Sequence, residues 1–105
     1  MVKDRYTDFY RHTTCHIWRA YFARIRKGES PENEIAEEQH SFCDQYFQNQ
    51  KEEDKQLLLN FYSGKEKPGK YLNWYAEEHG LSKGYCWEVV THAEKVIAQK
   101  MRIIP

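Results

Sequence analysis

Two spacings in the first half of the chain bring metal-type ligands together. His12-x-x-Cys15-His16 and His40-x-x-Cys43 each set an imidazole and a thiol three residues apart, on one face if the segment is helical. Two such pairs facing each other could supply four tetrahedral ligands to zinc. Against this, Cys43 falls beside Phe42 on an apolar stripe, where a reduced thiol acts as a small hydrophobe, and His12 falls on a polar side. The expectation is no metal and no cofactor. Catalysis has no better footing. No nucleophile stands out with a base, and the acids between residues 32 and 54 pattern as a solvated helix face. Gly64-Lys-Glu-Lys-Pro-Gly69-Lys lacks the spacing and the terminal Ser/Thr of a phosphate-binding loop. The chain reads as something other than an enzyme.

Tyr71–Gln99 carries a different chemistry. A helix there would close at Gly80, a residue type that tolerates the left-handed conformation. The next would begin at Ser82, whose hydroxyl can cap an early backbone N–H. Ala76 is small where two helices approach, and Tyr75, Leu81, Cys86 and Val89 supply apolar contacts. This is the spacing of a DNA-binding helix-turn-helix, whose second helix lies in the major groove. Ser82, Lys83, Gly84, Trp87, Glu88 and Thr91 would then face double-stranded DNA, with Lys95 and Lys100 continuing along the backbone. Lys83 and Ser82 are donors to phosphate or base edges, and Gly84 leaves room at a helix start whose N–H groups favour phosphate. Thr91 suits a base edge or a thymine methyl, and Glu88 can accept from cytosine while repelling phosphate. Trp87 is bulky for a groove and suits packing on the first helix or on a partner.

The same residues carry a resemblance. Asp54-Lys-Gln-Leu-Leu-Leu-Asn-Phe-Tyr62, then Tyr75-Ala-Glu-Glu-His-Gly-Leu-Ser82 and Val90-Thr-His-Ala-Glu-Lys95, resemble small phage and mobile-element regulators, which are themselves similar to the promoter-reading region 4 of sigma factors. The likeness covers residues 52–101 and not the first 50. It implies a sequence-specific transcriptional regulator using Ser82, Lys83, Gly84, Trp87, Glu88 and Thr91 toward DNA. A homodimer reading two half-sites would add the contact area that one hairpin lacks. The chain departs from that pattern at Trp87, at Cys86 and in its low positive charge. Those departures define the alternative, a protein-interaction module such as a small phage protein that binds a host factor through the hairpin.

The elements that must position these residues read as helices throughout. Residues 4–27 repeat Tyr6, Phe9, Tyr10, Ile17, Tyr21 and Ile25 at helical spacings, widened by Trp18 and Phe22 and stopped at Gly28. Arg11, Arg19 and Arg26 mark its polar side, expected to be a solvated face with ionic contacts to the acidic second helix, the alternative being a phosphate-contacting ridge. Ser30-Pro31-Glu32 signals the start of that second helix, which runs to Gln48 with Ile35, Phe42 and Tyr46 on one stripe. A third, from Glu52 or Glu53 to Tyr62, has Leu57, Leu58, Leu59 and Phe61 inside or near the core. Gly64–Gly69 is the linker, after which the hairpin occupies residues 70–101. Val89, Val90, Ala93, Val96, Ile97 and Met101 make the buried stripe of its last helix. Ile103-Ile104-Pro105 is an apolar tail that folds back or meets a second copy.

The 105 residues suffice for one all-α domain of about five helices, with a modest core rich in rings because 15% of residues are aromatic. Net charge is zero, but residues 1–30 carry seven Lys/Arg against three acids, 31–63 two against eight, and 64–105 seven against five. Basic ends suit phosphate; the acidic middle does not. Three scattered cysteines fit reduced thiols. The first ten residues lack an apolar signal segment, and no apolar run is long enough for a bilayer, so the expected setting is soluble and cytoplasmic with no membrane partner.

Overall fold

Three helix ends in this protein close in the same way. Lys27 is followed by Gly28 at φ 68°, with Gly28 N–H donating to Ile25 C=O and Glu29 N–H to Arg24 C=O. Gly80, at φ 64°, repeats the pattern, with Leu81 N–H donating to Ala76 C=O at 2.9 Å. Arg102, at φ 61°, repeats it again, with Ile103 N–H donating to Ala98 C=O. Such closures satisfy carbonyls that a helix end leaves unpaired, and the left-handed residue is usually glycine. The third uses an arginine.

The computed structural model describes the backbone of residues 5–63 and 68–105 and the side chains of residues 10–63 and 72–105. Over these residues the helices are Arg5–Lys27 (α1), Glu34–Gln48 (α2), Glu52–Ser63 (α3), Pro68–His79 (α4) and Lys83–Lys100 (α5), with no strand. The all-α expectation holds. The linker Gly64–Gly69 lies partly outside the described residues, and Pro68 and Gly69 belong to α4. That helix therefore begins two residues before the expected Lys70, with Pro68 at the first helical position where its missing N–H costs nothing. No described helix is long and apolar enough to cross a membrane.

The start of α2 also differs from expectation. Ser30 and Pro31 lie in the connection, and Asn33 is the cap instead, its Oδ1 accepting from Ala36 N–H at 2.9 Å. Asn33 is extended at φ −154°, the conformation a cap needs, and Glu34 and Glu37 follow in the first turn, favourable to the helix dipole.

The core is a ring cluster bounded by aliphatic residues. The fully buried Trp18 stacks on Phe22 and Tyr62, at centroid distances of 5.7 and 5.9 Å, and stands edge-on to Tyr21 and Tyr46. Its indole N–H donates to the Ala93 carbonyl at 3.2 Å. One side chain thus joins α1, α2, α3 and α5. Leu57, Leu58, Leu72, Val90 and Ile97 complete the packing. The helix α5 packs against each of the other four.

Two expected core residues are outside. Ile25 is 50% exposed and Ile35 is 71% exposed. Steps of four residues drift by about 40° per step around a helix, so Ile25 ends about 80° from Ile17. Ile35 occupies the first turn of α2, ahead of the packed part. Within α5 the buried residues are Cys86, Val90, Ala93, Glu94, Ile97 and Ala98, while Val89, Val96 and the C-cap Met101 are only half-buried. The side chains of Tyr6 and Phe9 lie outside the described residues. The tail folds back: Gln99 Nε2 donates to the Pro105 carbonyl at 3.2 Å, and Ile103 and Ile104 are half-buried.

Candidate functional site

The sequence-predicted residues all fall on the solvent side of α5 or at its capped start. Ser82, Lys83, Gly84, Glu88 and Lys95 are exposed, and Trp87 and Thr91 are half-buried at the margin of the core. The opposite face, Cys86, Val90, Ala93 and Ile97, is closed to solvent. Ser82 caps the helix as expected, its Oγ accepting from Tyr85 N–H at 3.0 Å, so its hydroxyl proton stays available to a ligand. Around Gly84 nothing comes within 4 Å of where a Cβ would stand. Its hydrogen side chain therefore answers to no neighbour within the fold.

An open groove of about 460 Å³ runs along this face, lined by Trp87, Glu88, Thr91, His92 and Lys95. Four of these five were legible from the hairpin spacing; His92 was not. A hydrogen bond of 2.7 Å joins His92 Nδ1 to the hydroxyl of Tyr46 from α2. Burial first, then the Asp54 carboxylate, pushes the Tyr46 phenol up to about 12, so it keeps its proton at neutral pH. The groove edge is thereby tied to the core through Tyr46, which is half-buried and edge-on to Trp18.

Beside the groove lies a buried charge cluster that sequence reasoning missed. Glu94 is 2% exposed. Its Oε2 accepts from the Tyr62 hydroxyl at 2.7 Å and its Oε1 from Arg11 Nε at 3.0 Å. Burial raises the Glu94 carboxyl above its ordinary value, against the pull of these two donors. Burial also holds the Tyr62 phenol far above its ordinary value, reinforced by the adjacent carboxylate. The signal was available: position 94 lies four after Val90 and three before Ile97, inside the buried stripe. Arg11 thus pairs with α5 and not with the acidic second helix, where Arg24 bonds His40 instead. The Arg11 guanidinium also lies 5.8 Å from the centroid of the Trp87 ring, so Trp87 packs toward the first helix.

A second cation stands near the start of α5. Lys51 Nζ lies 5.3 Å from the Tyr85 ring, whose hydroxyl donates to Asp54. Lys51 also approaches Glu53 at 3.9 Å.

The two metal-type pairs are not brought together. Among the described residues no three His, Cys, Asp or Glu side chains gather into a cluster that could hold an ion. His40 Nδ1 accepts from Arg24 Nε at 3.1 Å, and burial followed by the Arg24 charge lowers its pKa. Cys43 is fully buried, which raises its thiol well above the ordinary range.

No known protein family, curated protein or solved structure matches this chain. The case for a function therefore rests on the chemistry of the α5 face and of its neighbours.

Proposed function

We propose that the chain is a sequence-specific binder of double-stranded DNA, a transcriptional regulator of a phage or mobile element, in which α4, the turn at Gly80–Ser82 and α5 act as a helix-turn-helix. The observation that carries this reading is the two-sidedness of α5. One face is locked into the core at Cys86, Val90, Ala93 and Ile97, while Ser82, Lys83, Gly84, Glu88 and Lys95 point to solvent. A helix held from behind, with an open and capped first turn, can enter a major groove about 12 Å wide. The N–H groups of Lys83 and Gly84 precede the first full helical turn and favour phosphate. The resemblance of residues 52–101 to sigma-like regulators points the same way, and two copies on two half-sites would provide the contact area.

A second reading is favoured by the groove. Trp87 is half-buried in its wall and Glu88 also lines it, a mixture that suits a side chain of a host protein better than a row of phosphates. Fluorescence anisotropy with a labelled random-sequence duplex at two salt concentrations separates the two. DNA binding gives an affinity that falls steeply with salt and is weakened by Lys83→Ala. Absence of binding at low salt overturns the DNA reading and leaves the docking module.

A further inference from the structure

Cations from outside the hairpin stand on both sides of the exposed face of α5. At 3.6 residues per turn, Trp87 lies roughly 100° to one side of Glu88 and Tyr85 roughly 60° to the other. The two rings thus border the solvent face along its first turns. Over Trp87 sits Arg11 of α1, and over Tyr85 sits Lys51, the residue before α3. Neither cation belongs to the segment that carries the reading residues.

We infer that Arg11 and Lys51 contact the two phosphate backbones that border the groove, one on each side of an inserted α5. This rests on the DNA reading above. A helix with its side chains is about 10–12 Å across and fills a major groove of about 12 Å. Whatever flanks the helix at its entry therefore meets the sugar–phosphate walls. Both flanking groups are suited to that position. Each is held against an aromatic ring, which fixes a long side chain, although Arg11 is also ion-paired with Glu94 and Lys51 stands beside carboxylates of α3. Arg11 is further aimed by its Nε bond to Glu94, and its side chain remains 35% exposed. Lys51 is 61% exposed, and the carboxylate nearest its ring partner, Asp54, is engaged by the Tyr85 hydroxyl. Lys51 must share itself with Glu53, at 3.9 Å, and with the Asp54 carboxylate, whose charge also reaches it.

The test measures the affinity of the whole chain for a random-sequence duplex over a series of salt concentrations. The variants are Lys51→Gln, Arg11→Gln/Glu94→Gln and, as a control that keeps the cation, Glu94→Gln. The double substitution replaces a buried ion pair with two amides, so the fold does not lose one charge alone, and thermal melts check each variant. Loss of one phosphate contact flattens the dependence of log K on log salt by about 0.9, so a fourfold rise in salt costs about threefold less affinity than in the unaltered protein. Lys51→Gln and the double variant should each show this, and Glu94→Gln should keep the original slope. If the unaltered protein binds in a Lys83-dependent way but either flank variant keeps the full slope, the two-sided contact is wrong and the DNA reading stands. If the unaltered protein does not bind at low salt, both fall together.

Discussion

Replacing Arg11 with methionine isolates the buried carboxylate beneath the candidate site. In the native protein both Glu94 oxygens are occupied, one by Arg11 at 3.0 Å and one by Tyr62 at 2.7 Å, and the side chain is 3% exposed. Arg11→Met leaves Oε1 unsatisfied and the charge without its counter-ion. Breaking a fully buried pair costs about 3–5 kcal/mol. Arg11 is itself one-third exposed, so water can partly replace it, which sets the loss at the low end, about 3 kcal/mol at pH 7. For a chain of this length that corresponds to a melting temperature about 12 °C lower. The deficit depends on pH with a definite sign. Burial raises the Glu94 carboxyl above its ordinary 4.5, so between that value and the raised one the folded state holds more protons than the unfolded state. The associated stability is present in acid and is lost as pH rises through the native pKa. Arg11 pulls that pKa down, so removing it moves the titration further up and enlarges the loss at neutral pH. Urea unfolding of Arg11→Met followed by circular dichroism at pH 5 and pH 7.5 should therefore show the smaller deficit at pH 5. Arg11→Met/Glu94→Gln should recover most of the deficit at pH 7.5. A deficit below about 1 kcal/mol at the higher pH, as exposed pairs give, would refute the reasoning. So would a double variant no more stable than the single one.

Gly84→Ala should raise stability by about 0.5 kcal/mol, because alanine is the better helix former and the site is open. On the DNA reading it should also weaken duplex binding; a gain in both would show that no backbone approaches there. Asn33→Ala should cost about 1 kcal/mol as a lost cap, whereas Ser30→Ala should be close to neutral; equal effects in urea melts would contradict the cap at Asn33. Arg102→Gly should stabilise by about 1 kcal/mol by relieving a left-handed side-chain residue, measured as a higher urea midpoint. With a thiol reagent at neutral pH, Cys15 should label first, and Cys43 and Cys86 only on unfolding; three thiols reacting at one native rate would place the latter pair outside the core.

The helices were legible because local signals agree with the packing. Gly28 and Gly80 end helices where their left-handed conformation is needed, and Ser82 caps α5 as its position implied. Asn33 caps α2 in place of Ser30, two residue types competent to cap lying three positions apart, and the local sequence does not rank them. Spacing misplaces Ile25 because successive steps of four drift around the helix, and Ile35 because a helix buries only the length that a neighbour covers. The exposed residues of the α5 face were visible because polar and apolar positions alternate at helical period there. The burial of Glu94 could be read from its place in the apolar stripe, but its partners could not, nor could the roles of His92 and Lys51. Their importance comes from Arg11, Tyr46 and Tyr85, partners 83, 46 and 34 positions away in the chain. Pairings over such separations have no local trace.

Because α5 serves at once as the keystone of the core and as the presenter of the candidate surface, its two sides cannot be tuned separately. Ala93 and Ala98 leave no space around this helix, so a bulkier residue at either would roll or lift it and swing Lys83, Thr91 and Lys95 out of register together. On the proposed reading, selection for a new target would work on outward positions alone, and a drift in interior volume would alter recognition along with stability.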